Sequence, residues 1–398
     1  YQIAKEEKVM INFVYQNPTK IIFGKGVIKD LSKEVLNYGN KVLMVYGGKS
    51  IYSNGLYETI TTQFKENGID YYELGGLTVP SLAVLYQGIE LAKNNQVNLI
   101  IGIGGGCCID MAKSIAVGAS NDIDIWEVLQ GKIPYDHLNC LPIGAIVTVA
   151  GSGSEMDGNS EIENLETGEH GSIGSFIKTY PTFSILDPEL TYSCPFELTA
   201  YHGMTIIVQA MEQYLVDREA TNIQDGFVET ICKTVISSLR TLKEDLYDYN
   251  ARANLMWASA ITCNRILGRG KNAPWLGGPL GGLIDDTLGI TYAQGITITW
   301  PKYLMTCYHD FVQTLKSFAL NVMEIDPKDK TCDEIAFAGG KALQDFVDEI
   351  GLAHTVKDLG YGNHEVDEFA DKIDKLASRN VINKKDIETI VRLSIKGE

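Results

Sequence analysis

The sequence predicts an α/β half with a parallel sheet, followed by an all-helical half. Apolar, strand-like runs alternate with helical sequence up to residue 186, an alternation that is typical of parallel sheets covered by helices. From about residue 195 the apolar residues recur at helical spacing instead. At the centre of the first half, the all-apolar run at residues 99–103 precedes three consecutive glycines and a helical segment. Such a run indicates a central strand that is buried on both faces.

The elements of the first half follow from short apolar runs and from the breaks between them. We expect strands at residues 11–15, 20–23, 41–46, 70–74, 99–103, 141–149 and 182–186. Helices are expected at residues 24–36, 52–67, 82–95 and 107–117, and a loop-rich insertion at residues 120–140. Asp187-Pro188 ends this half, because proline cannot extend a strand ladder and disfavours helix at the residue before it.

The second half is predicted to consist of helices. They are expected at residues 195–217, 222–241, 249–266, 303–322, 333–350, 364–378 and 384–396. This pattern places an α/β domain at residues 10–188 and an all-helical domain at residues 189–398. Because clefts between such domains are usual ligand sites, we expect the functional site in a cleft between the two.

Composition and charge exclude several classes of function. The 398 residues are 45% hydrophobic and 21% charged, as in an ordinary soluble globular protein. A net charge of −17 argues against nucleic acid or an anionic membrane as partner. The eight cysteines include no C-x-x-C pair, and we find neither a signal peptide nor a membrane-length apolar run. We therefore expect a cytoplasmic protein, and give no weight to residues 1–9, which precede a start-like Met10.

The turn after the central strand is the strongest candidate site. Gly104, Gly105 and Gly106, called here the first glycine turn, lie between a buried strand and a helix start. Glycines let the backbone approach a phosphate closely, and a helix start offers unpaired N–H groups with a partial positive charge. We interpret the turn as a pyrophosphate cradle; the alternative is a tight turn whose glycines serve packing alone. It departs from the usual dinucleotide fingerprint, because Cys107 stands where that pattern has its last glycine.

Two further segments extend this candidate site. A second glycine turn, Gly47-Gly48-Lys49-Ser50, follows the strand at residues 41–46, where a nucleotide ribose would lie. The turn holds no Asp or Glu for a ribose diol, and Lys49 could face a 2′-phosphate, which favours NADP(H) while leaving NAD(H) possible. Alternatively, Lys49 is an ordinary surface lysine. Hydroxyl residues after the strand at residues 141–149, among them Thr148 and Ser152, could contact nicotinamide or phosphate, or could form a plain loop.

An ordered set of motifs resembles the iron-containing (group III) alcohol dehydrogenase family, especially its butanol-dehydrogenase-like branch. The motifs are Asn12-Phe13-x-Tyr15-x-Asn17-Pro18-Thr19, Phe23-Gly24-Lys25-Gly26, Gly47-Gly48-x-Ser50, Gly104-Gly105-Gly106-x-x-x-Asp110-x-x-Lys113, Gly153-Ser154-Glu155-Met156, Leu186-Asp187-Pro188, Glu212-Gln213-Tyr214 and Gly295…Pro301. The resemblance implies a dehydroquinate synthase-like fold, with a Rossmann-like dinucleotide-binding domain and a helical domain. It also implies a homodimer, and hydride transfer between NAD(P)H and a small alcohol or aldehyde. Cys107, Asp110 and the two glycine turns would bind the cofactor.

The resemblance does not extend to the metal ligands. The family places an Asp and a His four residues apart before the Glu-Gln-Tyr segment, and two further His fourteen residues apart before the position of Pro301. The matching positions here hold Thr205, Gln209, Gly278 and Tyr292. Because useful sites need imidazole, carboxylate or thiolate ligands, we expect no catalytic metal. A relocated site would have to draw on His202, Glu212, Asp285 or Asp286.

Three functions are compatible with these residues. The first is a metal-independent alcohol dehydrogenase or aldehyde reductase, in which Tyr292 donates a proton to the carbonyl oxygen if a nearby cation lowers its pKa from about 10. His202 is our candidate for that cation; alternatively, Tyr292 only fills the vacated metal cavity beside Leu280. The second function is a catalytically silent nucleotide-binding homologue. The third is altered chemistry on a bulkier or phosphorylated substrate, for which glycines such as Gly278 would enlarge the cleft.

Overall fold

The computed structural model describes residues 9–174, 176–216, 221–361 and 363–397, apart from the side chain of Asp286. These residues form two compact units. The sheet unit consists of Gln16–Pro195 and Leu246–Asn264, and the helical unit of the described residues before Gln16, within Phe196–Asp245 and from Arg265 onward.

This division differs from the expected boundary at residue 188 in one long segment. Leu246–Asn264, which we placed in the helical domain, packs with the sheet unit. The reason is local: Met256 and Ala260 join an apolar cluster with Val147 and Leu186, which lie on two strands of the sheet. Two short segments differ as well, because residues 189–195 belong to the sheet unit and residues 10–15 to the helical unit.

The predicted parallel sheet is confirmed. Within the described residues, the sheet has six parallel strands: β1 (Lys20–Phe23), β2 (Lys41–Tyr46), β3 (Asp70–Leu74), β4 (Leu99–Gly104), β5 (Ile143–Val147) and, after a separate hairpin of two strands, β8 (Phe183–Leu186). Their order across the sheet is β1-β8-β5-β4-β2-β3. Strand β4 is buried at every position, as its apolar sequence predicts. Tyr46 pairs with Ile103 and Gly104 with Val147, so β2, β4 and β5 end at one edge of the sheet.

Helices cover both faces of the sheet because strand residues alternate between the faces. Leu43 and Val45 pack towards one side, and Val42 and Met44 towards the other. The helices of this unit are α1 (Leu31–Val35), α2 (Ser50–Ser53), α3 (Leu56–Glu66), α4 (Leu82–Asn95), α5 (Gly106–Ala119), α6 (Ile125–Leu129) and, from the late segment, α9 (Tyr249–Cys263).

Three details of the first half differ from the sequence prediction. Residues 11–15 form no strand, and the insertion at 120–140 contains α6, which begins where Asp124 accepts a hydrogen bond from the N–H of Trp126. Between β5 and β8, the strands β6 (Ser160–Asn164) and β7 (Glu169–Ile173) form an antiparallel hairpin that we did not predict. Its strands are mostly polar, and Ile162 and Ile173 supply its buried apolar contacts.

The helical unit is confirmed as helical, with one region that differs from expectation. Its helices are α7 (Phe196–Glu212), α8 (Asn222–Glu244), α10 (Gly277–Gly281), α11 (Asp285–Leu288), α12 (Tyr292–Thr306), α13 (Val312–Asn321), α14 (Cys332–Glu349), α15 (Ala370–Ala377) and α16 (Lys384–Lys396). Helices α10 and α11 lie where no helix was expected, and the single helix expected at 303–322 is instead α12 and α13. Helix α12 starts earlier because Thr291 and Gln294 form a capping box, and it continues through Pro301. No helix in the described part of the chain is long and apolar enough to span a membrane.

Candidate functional site

The first glycine turn connects β4 to α5 with very little space for side chains. Gly104 has φ 150°, and a Cβ there would lie 2.7 Å from Cys108 Sγ. A Cβ at Gly106 would lie 2.8 Å from Ser152 Cβ, and one at Gly102 only 2.7 Å from Ile109 Cα. Close packing therefore favours glycine at positions 104 and 106, whereas a Cβ at Gly105 would make only an ordinary contact, 3.8 Å from Val149 Cβ. The turn can also receive a phosphate, because Gly105 caps α5 without a side-chain hydrogen bond.

Cys107 is the second residue of α5 and keeps an exposed side chain at the start of that helix. Although Cys107 is exposed to solvent, surrounding protein atoms partly desolvate its thiol; this desolvation and the nearby Asp110 carboxylate raise the pKa of Cys107, so the uncharged thiol predominates at neutral pH. A thiol at this position adds no negative charge where an anion would bind. Its predicted contact with the cofactor stays a prediction.

The second glycine turn lies beside the first. A Cβ at Gly47 would lie 3.7 Å from Cys108 Sγ, whereas one at Gly48 would meet no atom within 4 Å. Lys49 precedes α2 and its side chain is exposed, and Ser50 begins the helix. The structure thus brings Gly47 and Gly104, which are far apart in sequence, to one edge of the sheet.

An acidic side chain that the sequence analysis missed also lies at this edge. Glu73 is on β3, the neighbour of β2, and its Oε1 accepts a hydrogen bond of 2.8 Å from the Tyr46 hydroxyl. The Tyr46 and Tyr52 hydroxyls are also 2.8 Å apart. Burial, together with Tyr52 and Glu73, raises the pKa of Tyr46, so its phenol stays protonated. No Asp or Glu lies in the second glycine turn, but the Glu73 carboxylate lies on β3, which pairs with β2 in the sheet. This proximity follows from the strand order and could not be read from the sequence.

The segment Thr148–Ser154, called here the hydroxyl loop, is attached to the first glycine turn. The backbone N–H of Thr148 donates to Gly104 O at 3.0 Å. The Ser152 side chain blocks the space beside Gly106, because a Cβ on Gly106 would lie 2.8 Å from Ser152 Cβ. The Oγ of Ser152 accepts from the N–H of Ser154 at 3.3 Å. Helix α9 supports the loop from the other side, since the Cys263 thiol donates to Ser152 O at 2.9 Å.

Asp110 lies one turn into α5, and its carboxylate is occupied by the protein itself. It accepts from Ser154 Oγ at 2.5 Å and from the backbone N–H of Glu161 at 3.3 Å. Burial raises the pKa of Asp110 to about 7, although Lys113 opposes that shift. The hydrogen bonds of Asp110 therefore hold neighbouring protein segments, and direct contact with a cofactor stays a prediction.

The four positions at which we expect the family's metal ligands to be replaced lie in the helical unit, on α7, α10 and α12. Thr205 and Gln209 are one turn apart on one face of α7. Thr205 is buried, and its hydroxyl donates to Tyr201 O at 3.2 Å. A Cβ at Gly278 would meet no atom within 4 Å. Tyr292 packs near α10, since a Cβ at Gly281 would lie 3.4 Å from Tyr292 Cδ2.

These residues do not fit the family's divalent metal. The four positions offer no imidazole, carboxylate or thiolate. They hold an amide, a glycine, a phenol and a threonine hydroxyl, and the hydroxyl already donates to a carbonyl. Within the described residues, no three His, Cys, Asp or Glu side chains are grouped so that they could hold an ion. The relocated site considered from His202, Glu212 and Asp285 is therefore not formed by those side chains, and the side chain of Asp286 lies outside the described part.

Glu212 continues the same face of α7 and reaches towards α10. Its Oε1 accepts a hydrogen bond from the backbone N–H of Gly277, and a Cβ at Gly277 would lie 2.8 Å from Glu212 Cδ. This close approach requires glycine at position 277. Burial raises the pKa of Glu212 to about 7, with the Gly277 hydrogen bond opposing the shift. Glu212 therefore links α7 to α10, the helices that carry Thr205, Gln209 and Gly278.

The two proposed catalytic side chains differ in their environments. Tyr292 is the first residue of α12, and 40% of it is exposed. His202 is on α7, and burial lowers its pKa to about 4. A histidine with that pKa is neutral at pH 7, so His202 does not supply the cation that we expected beside Tyr292.

The fold and the glycine turns define a class: a parallel α/β unit of the dinucleotide-binding type joined to an all-helical unit. The particular family follows from comparison with known sequences. Residues 18–188 match the sequence model described as iron-containing alcohol dehydrogenase, and residues 199–395 match that of the Fe-containing alcohol dehydrogenase family, C-terminal. The chain belongs to the iron-containing alcohol dehydrogenase family, which confirms the resemblance.

Individual relatives match over nearly the whole chain. The NADH-dependent butanol dehydrogenase A of Clostridium acetobutylicum is 36% identical over 378 residues, which cover 94% of each protein. The NADPH-dependent aldehyde reductase YqhD of Escherichia coli is 29% identical, over 92% of this chain and 94% of that protein. A crystal structure of NADH-dependent butanol dehydrogenase A from Thermotoga maritima superposes with a TM-score of 0.90 at 30% identity, over 98% of this chain and all of that one.

Proposed function

We propose that this protein is an NAD(P)H-dependent alcohol dehydrogenase or aldehyde reductase that transfers hydride without a metal at the family's ligand positions. The observation that carries the proposal is the contrast between its two candidate regions. The glycine turns and the hydroxyl loop meet at one edge of the sheet, whereas the ligand positions hold Thr205, Gln209, Gly278 and Tyr292. The relatives' names, butanol dehydrogenase and aldehyde reductase, support the class of substrate.

The cofactor is assigned to the edge where β2, β4 and β5 end. The first glycine turn and Cys107 would hold the pyrophosphate, since backbone N–H groups at the start of α5 face it. The second glycine turn would hold the ribose, and Thr148 and Ser152 the nicotinamide end. Lys49 supports a preference for NADP(H), whereas the nearby Glu73 carboxylate and the NADH-dependent relative keep NAD(H) possible.

The reaction requires a proton as well as a hydride. When bound, the reduced nicotinamide would supply hydride to the carbonyl carbon, and the carbonyl oxygen would take a proton, which would give the alcohol and the oxidised cofactor. Tyr292 is the proposed donor because its phenol replaces a ligand and remains partly exposed. His202 has no cationic role in this scheme. If the Tyr292 phenol only packs against α10, the proton would have to come from water instead.

Two other functions remain distinct alternatives. The absence of ligand-type side chains at the four positions also suits a catalytically silent nucleotide-binding homologue. The open space at Gly278 would suit a bulkier or phosphorylated substrate. Each differs from the main proposal in what the purified protein would turn over.

The deciding experiment measures NADPH and NADH oxidation by the purified protein over a panel of aldehydes, with and without a strong chelator. We expect turnover that survives chelation, and a fall of at least about ten-fold in kcat for Tyr292→Phe without loss of cofactor affinity. Turnover abolished by the chelator would contradict metal independence. Cofactor binding without turnover on any carbonyl would favour the silent homologue.

We also propose that the protein is a cytoplasmic homodimer. An extended segment at residues 9–15 exposes several apolar side chains, with Val9 68%, Phe13 47% and Val14 87% exposed. Contiguous exposed apolar residues commonly mark a protein interface. The cysteines are free, as suits a reducing compartment. Light scattering of the purified chain tests the dimer, and a mass of about 44 kDa, that of one chain, would contradict it.

A further inference from the structure

Lys113 is a fully buried lysine in the sheet unit to which the proposed function assigns no role. It lies on α5, two turns after the first glycine turn. Its Nζ donates to Ser154 Oγ at 2.7 Å, to Asp157 Oδ1 at 2.8 Å and to Asn159 O at 2.7 Å. These three acceptors match the three protons of the ammonium group.

Asp110 extends this arrangement along α5. It lies one turn before Lys113 and accepts the hydrogen bond of the Ser154 hydroxyl, while that hydroxyl oxygen accepts from Lys113. Asp110 also accepts from the backbone N–H of Glu161. The same face of α5 therefore holds the chain from Ser154 to Glu161 at several points.

The consequence for the hydroxyl loop is that one of its ends is fixed to the end of β4 and the other to α5. Its first residue, Thr148, donates to Gly104 O, and its last residue, Ser154, is held by Lys113 and Asp110. Ser152 lies between them, against the backbone of Gly106. One backbone hydrogen bond at Thr148 and the side-chain hydrogen bonds of Ser154 to Lys113 and Asp110 thus fix the position of the loop relative to the first glycine turn.

Stability alone gives no reason for a lysine at this position. Transfer of an ammonium group to the interior is unfavourable, and buried ion pairs commonly stabilise a fold less than apolar residues of the same size would. The ammonium group instead donates directional hydrogen bonds that order the loop before the cofactor binds. Ordering a loop beforehand improves affinity because that entropy is no longer lost on binding.

We propose that Lys113 is a positioning residue for the nicotinamide cofactor: through Ser154 and Asp157 it fixes the hydroxyl loop against the first glycine turn. This inference rests on the proposed function, because it needs a cofactor that contacts Thr148 and Ser152. Asp157 neutralises the buried ammonium group, and Ser154 transmits its position to the loop.

The test separates positioning from stability with three variants of the full chain. Lys113→Met leaves the Asp157 carboxylate buried without its cation, so both the melting temperature and cofactor affinity should fall. Lys113→Met/Asp157→Asn removes the charges of the buried pair, although Asp110 also loses the neighbouring ammonium group, so the melting temperature should recover in large part while the dissociation constant for NADPH or NADH stays raised by about ten-fold. The double variant also serves if the single variant does not fold.

A matched control is the buried Lys271 of the helical unit, which bonds Asp225 and Gln213 O. Lys271→Met should lower the melting temperature without changing cofactor affinity. Binding is measured by fluorescence titration with NADPH and NADH, and hydrogen exchange of residues 148–156 is followed without cofactor. We expect faster exchange in both Lys113 variants and unchanged exchange there in Lys271→Met.

Two results would overturn the inference, and they differ. If the double variant recovers both melting temperature and affinity, or if exchange of residues 148–156 stays at the level of the unaltered protein, Lys113 is structural only. If the unaltered protein binds neither NADPH nor NADH, the proposed function fails and the inference fails with it.

Discussion

The edge of the sheet keeps the family's motifs, whereas the proposed metal-ligand positions of the helical unit do not. At the sheet edge, the glycine turns and the hydroxyl loop match the family pattern, and hydrogen bonds from α5 and α9 hold them. On α7, α10 and α12, the four ligand positions hold other residue types, and one of them faces open space. The segments that we propose for the cofactor thus keep the family's residues, whereas the positions that we propose for the metal ligands do not.

The largest expected effect comes from restoring the family's ligand set. The quadruple variant Thr205→Asp/Gln209→His/Gly278→His/Tyr292→His replaces a hydroxyl, an amide, a glycine and a phenol by a carboxylate and three imidazoles. After incubation with zinc or ferrous ion and dialysis, we expect about one ion per chain in the variant and none in the unaltered protein. Elemental analysis measures this.

The same experiment can contradict this contrast between the two regions. An unaltered protein that retains one ion per chain would mean that its helices bind metal by another set of ligands. A control variant, Thr205→Asp alone, should retain no ion, because one carboxylate cannot hold it with useful affinity.

The second effect concerns Glu212, the titratable link between α7 and α10. Its pKa is about 7 in the folded protein against 4.5 ordinarily, so the folded state keeps a proton that the unfolded chain loses. Stability therefore falls as pH rises from about 4.5 to about 7, and is level above that. Glu212→Gln removes this loss while its amide oxygen can still accept from Gly277.

We expect Glu212→Gln to increase the free energy of unfolding by about 3 kcal/mol at pH 8 and by little at pH 4.5. Urea unfolding at both pH values measures it. The exposed Glu197 of α7 is the control, and Glu197→Gln should change stability by no more than about 0.5 kcal/mol at either pH. Asp110 and Glu155 also have pKa values raised to about 7, so part of the pH dependence should persist. An equal gain at both pH values would show that the pKa of Glu212 is not raised in the folded state.

The third effect compares one glycine from each region. A Cβ at Gly106 would displace Ser152, so Gly106→Ala should weaken cofactor binding by roughly ten-fold or more. A Cβ at Gly278 meets nothing within 4 Å, so Gly278→Ala should leave affinity unchanged and stabilise the short helix α10 by about 0.5–1 kcal/mol. Fluorescence titration and thermal unfolding of the two variants test this contrast, and equal losses of affinity would contradict it.

The parallel sheet and its turns were predictable because they depend on local patterns. Buried parallel strands are continuous apolar runs, and the turn at Gly104 needs residues without a side chain. The packing of α9 with the sheet was not predictable, since Met256 and Ala260 suit a helical core equally well. Likewise, a proline at position 301 argues against a helix interior, although tertiary packing accommodates it in α12.

Much of the candidate site depends on contacts between distant residues, which no local pattern reveals. Lys113 meets Asp157, 44 residues later. His202 looked like a candidate cation from its residue type, but its burial, which sets its pKa, follows from the assembled helical unit. The substituted ligand positions were visible in the sequence because a family motif supplies their spacing; the contact between Glu212 and Gly277 was not.

The smallest expected effect concerns the choice between NADPH and NADH at the second glycine turn. Lys49 would attract a 2′-phosphate, so Lys49→Ala should raise the dissociation constant for NADPH by about three- to ten-fold, more at low salt, and leave NADH unchanged. Lys65→Ala, an exposed lysine at the end of α3, should change neither. Glu73 acts in the opposite direction, because its carboxylate would repel that phosphate. Glu73→Gln should therefore lower the dissociation constant for NADPH. If this substitution changes the dissociation constant for NADPH more than Lys49→Ala does, the repulsion by Glu73 outweighs the attraction by Lys49, and this edge of the sheet prefers NADH.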